Sequence, residues 1–186
     1  MLDAESWKVA VLDLLGGTCG FARVGPRRHR DWRRDVASTM ALRSDDPRRW
    51  YSLSAPPAVE GDRSGIGAPF MLWSAEQIGA ALTGIDGARA TRLLIALQGE
   101  PHYQAAHIPD FANRRDALFR SARHVLSRFG PSARFLTNAS GACADPDADW
   151  LNPDTQWECL SVHTTDCGLV AVSDDEVGVF WAFWED

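Results

Sequence analysis

Residues 167–184 read CGLVAVSDDEVGVFWAFW, two apolar runs of strand length joined by Ser173-Asp174-Asp175-Glu176. Valine and aromatic side chains dominate both runs, and a short polar connection between two such runs is the signature of an antiparallel hairpin. Alternation along the second run puts Val177, Val179, Trp181 and Phe183 on one side and Gly178, Phe180, Ala182 and Trp184 on the other. Both sides are apolar, so the bland reading is a central strand buried between two layers. The sharper one is an aromatic anchor at Trp184 ringed by the carboxylates of Glu185 and Asp186.

Working toward the N-terminus, 156–162 is a third strand candidate, and Arg134–Thr137 is another after the Gly130-Pro131 stop. Before that stop, Pro109-Asp110 opens the clearest helix, with Leu118, Phe119, Ala122, Val125, Leu126 and Phe129 on one stripe. The apolar run Leu93–Leu97 has the length of a buried strand. Ser74 and Gln77 form a capping box ahead of Ile78, Ala81 and Leu82, with Gly84 as the stop. Asp3 caps a first helix carrying Ala4, Trp7, Val11, Leu14 and Leu15 as far as Gly16-Gly17, and a second helix is expected over 29–42. Between Asp45 and Pro69, four prolines and three glycines predict an irregular loop, anchored if Trp50 and Tyr51 pack.

Helices precede strands, which predicts an α+β fold with helices packed on one face of a mostly antiparallel sheet and a C-terminal β-hairpin. The 186 residues are enough for one domain, 1–186, with an acidic β-rich part over about 134–186. Hydrophobic content of 45% is globular composition. No export signal opens the chain and no apolar stretch reaches membrane-spanning length, so the expectation is a soluble cytoplasmic protein with reduced Cys19, Cys143, Cys159 and Cys167.

Charge is the most informative functional feature. The last 52 residues contain no Lys or Arg but hold eleven carboxylates, whereas all 19 basic residues lie between Lys8 and Arg134. The formal total of -6 conceals this split. Segregated charge steers partners, and carboxylates around an aromatic centre suit a protein whose own site is basic. The expected partner contacts are Asp166, Asp174, Asp175, Glu176, Trp184, Glu185 and Asp186, with Asp145, Asp147 and Asp149 in reserve.

In overall character, and in the Asp-rich end that closes on FWAFWED at 180–186, the chain resembles the small acidic immunity proteins that bacteria encode beside interbacterial toxins. The resemblance implies a binding protein, not an enzyme, that occludes the basic active site of a cognate toxin. A small enzyme assembled from Cys19, His102, His107 or His163 is the alternative. An Arg/Trp nucleic-acid binder built on Arg27, Arg28, Arg30, Arg33, Arg34, Arg43, Arg48 and Arg49 with Trp32 and Trp50 comes third. The same arginines could instead pair with the acidic sheet across the fold.

No cofactor is implied. Cys159, His163 and Cys167 lack the knuckle spacing of zinc ligands, so no metal site is expected. His102 and His107 are five apart, which fits no helical ligand pair.

Overall fold

The computed structural model describes residues 2–17, 19–54, 69–99, 105–145, 147, 149–152 and 154–184. The order of elements is α1 (Ala4–Leu15), β1 (Cys19–Pro26), α2 (Trp32–Met40), α3 (Ala75–Ala81), β2 (Thr83–Ile85), α4 (Gly87–Ala96), α5 (Phe111–Ser127), β3 (Arg134–Thr137), α6 (Gly141–Ala144), β4 (Thr165–Val172) and β5 (Glu176–Trp184). A 3-10 turn, Ala105–His107, precedes α5. The five strands form one antiparallel sheet in the order β1-β5-β4-β3-β2, with β4 and β5 as the expected hairpin. The fold is α+β.

Helices cover both faces of the sheet, a departure from the one-face expectation. On one face α1, α4 and α5 bury Trp7, Val11, Leu14, Leu93, Leu94, Leu118 and Val125 against Leu169, Ala171, Phe180 and Ala182. On the other, Val36 and Met40 of α2 and Ile78 of α3 pack with Phe70 against Val170, Val177, Val179, Trp181 and Phe183. The reason lies in β5, whose two sides are both apolar. Leaving either open would expose several large side chains at roughly 1.5–3 kcal/mol each.

Local chemistry accounts for the helix starts. The Asp3 carboxylate accepts the Ser6 amide at 2.9 Å in a capping box, and the Ser74/Gln77 box opens α3. Asp13 then ties α1 to α5, accepting from the Arg114 guanidinium at 2.7 Å and the Ser121 hydroxyl at 2.8 Å. Asp110 takes the N-cap place of α5 with φ +54° but caps no backbone amide; its carboxylate accepts from Asn113.

Two expected elements come out differently and one strand is additional. Leu93–Leu97 lies in and just after helix α4, not in a strand. Residues 156–162 make only an isolated bridge, Phe70 to Ser161, because the Leu160 and Ser161 amides are drawn to the Asp166 carboxylate at 2.8 and 2.6 Å. Cys19–Pro26, not among the expected strands, is a full edge strand along β5. Of the 45–69 loop, Leu53 exchanges two backbone hydrogen bonds with Ala22 on the free edge of β1, and Trp50 and Tyr51 pack on the core; residues 55–68 lie outside the described residues. Among the described residues, no helix is long and apolar enough to cross a membrane.

Candidate functional site

The hairpin tip is built by one serine. Ser173 Oγ accepts the amides of Asp175 and Glu176 at 3.3 and 3.0 Å, and the Ser173 amide donates to the Glu176 carbonyl at 2.9 Å. This turn points Asp174 and Asp175 into solvent. Glu176 turns the other way and is only 3% exposed. Its carboxylate accepts from Arg128 Nη2 at 2.8 Å and Nε at 3.1 Å, and from Arg48 Nε at 3.0 Å. Arg128 also donates to Asp46 at 2.6 and 2.8 Å and lies over the rings of both Trp7 and Trp50, 5.0 and 4.8 Å from their centroids. Burial alone would lower its pKa, but the bonds to Glu176 and Asp46 outweigh that and hold it above the ordinary arginine value.

Asp166 is internal as well. Its carboxylate accepts from the Leu160 and Ser161 amides, from Trp181 Nε1 at 2.9 Å and from Asn138 Nδ2 at 3.1 Å. Burial raises its pKa, opposed by the hydrogen bonds from Ser161, Trp181 and Leu160. Asp166 and Glu176 are therefore withdrawn from the expected contact surface: each has its lone pairs engaged inside the protein, where an incoming partner has no access. Trp184 is half-buried, packed on the α1/α4/α5 side; Glu185 and Asp186 lie outside the described residues.

The outward carboxylates converge elsewhere. After α6, the chain turns repeatedly on its own side chains: Asp145 accepts the Asp147 amide at 2.9 Å, Asp149 that of Leu151 at 3.1 Å and Asn152 that of Asp154 at 2.9 Å. Trp150, fully buried and stacked 5.7 Å from Trp157, pins the segment to the core. What results is a concavity of about 290 Å³ lined by Asp145, Asp149, Asn152, Asp154, Thr155 and Gln156. Arg92 of α4 pairs with Asp149, and Arg89, over the Trp150 ring, reaches the Asp145 carbonyl at 3.4 Å and not its carboxylate. No Lys or Arg among the described residues forms an ion pair with the Asp145 or Asp154 carboxylate. Asp147 and Glu158 stand exposed nearby in sequence. Asn152, Asp154 and Gln156 were missed in the sequence reading; the signal was the spacing of Asp and Asn by two to four residues, the pattern of successive side-chain-closed turns.

The groups of the enzyme alternative are placed as follows. Cys19 is exposed at the start of β1, opposite Phe183, and the His163 ring stacks on Phe183 at 4.7 Å. His107 is exposed in the 3-10 turn, and His102 is outside the described residues. The Cys159 thiol is pushed up by burial and by the Asp166 charge, which disfavours the thiolate. Cys143 hydrogen-bonds Thr83 at 2.8 Å and Cys167 is buried. A pair that sequence reasoning did not single out, His29 Nδ1 and Asp35 Oδ1, lies at 2.7 Å. Among the described residues, no group of three or more His, Cys, Asp or Glu is arranged to hold a metal ion.

The arginines divide between inside and outside. Arg48 and Trp50 belong to the Glu176 cluster, Arg27 donates to the Ser173 carbonyl at 2.8 Å, and Arg33 pairs with Asp31 at 2.7 Å. Arg28, Arg30, Arg34, Arg43 and Arg49 face solvent. No protein-family model, curated protein or solved structure matches this chain.

Proposed function

We propose that this protein is a binding antagonist of the immunity type, which neutralises a cognate bacterial toxin by presenting carboxylates to its basic active site. The observation that carries this reading is the concavity at Asp145, Asp149 and Asp154, held in shape by side-chain-closed turns and by buried Trp150. Carboxylates fixed in this way lose little freedom on binding, so more of their interaction appears as affinity. Cationic groups that normally hold phosphate are complemented by the same charges. Asp174 and Asp175 on the hairpin tip add to the negative field that steers encounter.

The test uses the reading frame adjacent to the one encoding this protein. Its product, expressed alone, should arrest growth, and co-production of this chain should restore it. Asp145→Lys/Asp154→Lys should abolish protection and slow association about tenfold, with a flatter dependence on salt. Circular dichroism should be unchanged, since both side chains are exposed and losing the Asp145 carboxylate's bond to the Asp147 amide alters only that turn. An innocuous neighbour, or protection that survives the double reversal at an unaltered association rate, rejects the proposal.

A further inference from the structure

A second surface of opposite character lies on the α2/α3 side of the sheet. Residues 69–73 run antiparallel to 160–162: the Met71 amide donates to the Leu160 carbonyl at 3.3 Å, the Val162 amide to Pro69 at 3.1 Å, and Trp73 Nε1 to Leu160 at 2.7 Å. Phe70 enters the core, which turns its neighbours out. Met71 is 41%, Leu72 61% and Val162 52% exposed, three of the five large apolar residues that reach solvent among the described residues. Between this strip, the first turn of α3 and the outer side of α2 runs a groove of about 460 Å³, with Met71, Leu72, Trp73, Met40 and Ala37 as its apolar lining and Arg34 and Arg43 as its cations. No carboxylate lines it, and neither arginine forms an ion pair among the described residues.

From this we infer that the groove docks an acidic peptide segment of a protein partner, with apolar side chains seated on Met71, Leu72 and Trp73 and carboxylates meeting Arg34 and Arg43. Exposed Met, Trp and Arg together are the composition of an interface centre, and contiguous exposed apolar surface marks a binding site. Methionine adapts to the shape of an entering side chain. Charge selects the occupant. A two-fold pairing of the groove with a second copy would bring four arginines into one interface with no groove carboxylate to meet them. A nucleic acid would satisfy the arginines and leave Met71 and Leu72 facing water. An acidic segment with apolar anchors satisfies both.

A phage-displayed library of random 16-residue peptides, panned against the whole protein, should enrich sequences in which Asp or Glu alternates with Leu, Phe or Trp. The synthesised winner should bind about tenfold more weakly to Leu72→Asp and to Arg34→Glu/Arg43→Glu, all at exposed positions. It should bind Asp145→Lys/Asp154→Lys as it binds the wild type, which separates this groove from the acidic concavity. Three outcomes overturn the inference: no enrichment, a basic or uncharged consensus, or binding that ignores both groove variants. It is equally overturned by a dimer in sedimentation that Leu72→Asp dissolves, or by retention of a fifteen-nucleotide oligothymidylate that depends on Arg34 and Arg43 but not on Leu72.

Discussion

Arg128 shows how one side chain can hold three parts of the chain together. Its guanidinium is fully buried, gripped by Asp46 from the irregular segment after α2 and by Glu176 from the start of β5, beside the rings of Trp7 and Trp50. Replacing only the arginine leaves Asp46 without a counter-charge and Glu176 with Arg48 alone, so Arg128→Met should cost about 3–5 kcal/mol, read as a shift of the urea unfolding midpoint. Asp166 works by hydrogen bonds instead of ion pairs. Because burial raises its pKa above the ordinary carboxylate value, the folded protein binds that proton more tightly than the unfolded chain. Its contribution therefore favours folding at low pH and is lost as pH rises from the ordinary value through the raised one. The unfolding free energy of wild type minus that of Asp166→Asn should fall as pH rises above the ordinary carboxylate pKa of about 4; a difference that rises with pH contradicts the sign. Neither role was legible at the residue level in the sequence, where Asp166 and Glu176 are two more members of an acidic tail. Which carboxylates turn inward depends on partners more than forty residues away for Glu176 and on Asn138 and Trp181 for Asp166.

Among the elements, the hairpin was the most legible because its signal is local: two β-rich runs and a polar turn. Its interior is also tightly specified. A Cβ at Gly168 would lie 2.1 Å from the indole carbons of Trp181, the ring that reaches Asp166. Gly168→Ala should therefore displace that ring, costing about 1–3 kcal/mol and altering tryptophan fluorescence; an unchanged spectrum and stability would show that the ring is not held there by close packing. Helix α4 was misread for a physical reason. Leu93, Leu94, Ile95 and Ala96 are all buried, so the end of the helix shows no polar face and its apolar run imitates a strand. The better clue lay upstream, at Asp86, whose carboxylate caps the Arg89 amide at 2.8 Å. Strand β1 escaped notice because glycines open and close it; an edge strand tolerates Pro26 at its end, where a central strand would not. The 156–162 segment has strand composition, yet a buried carboxylate 28 residues from Asn138 competes for its amides and wins.

At the scale of the molecule, charge that is segregated along the chain is partly recombined in space. Arg48 and Arg128 neutralise Glu176, Arg92 pairs with Asp149, and Arg27 fastens the hairpin tip through backbone carbonyls. The remaining outward charge forms two separate surfaces, an acidic concavity beside α6 and a cationic, apolar groove along α2. By itself the sequence determined the class of fold, the caps of α1 and α3, the hairpin and the alternation that buries both sides of β5, because each follows from neighbours a few residues apart. Only the tertiary structure decided that helices cover both faces, that Asp166 and Glu176 serve the interior, and that Asp145, Asp149 and Asp154 share one concavity. Those outcomes depend on which distant groups meet and on the cost of burying charge unpaired, and neither is written in local spacing.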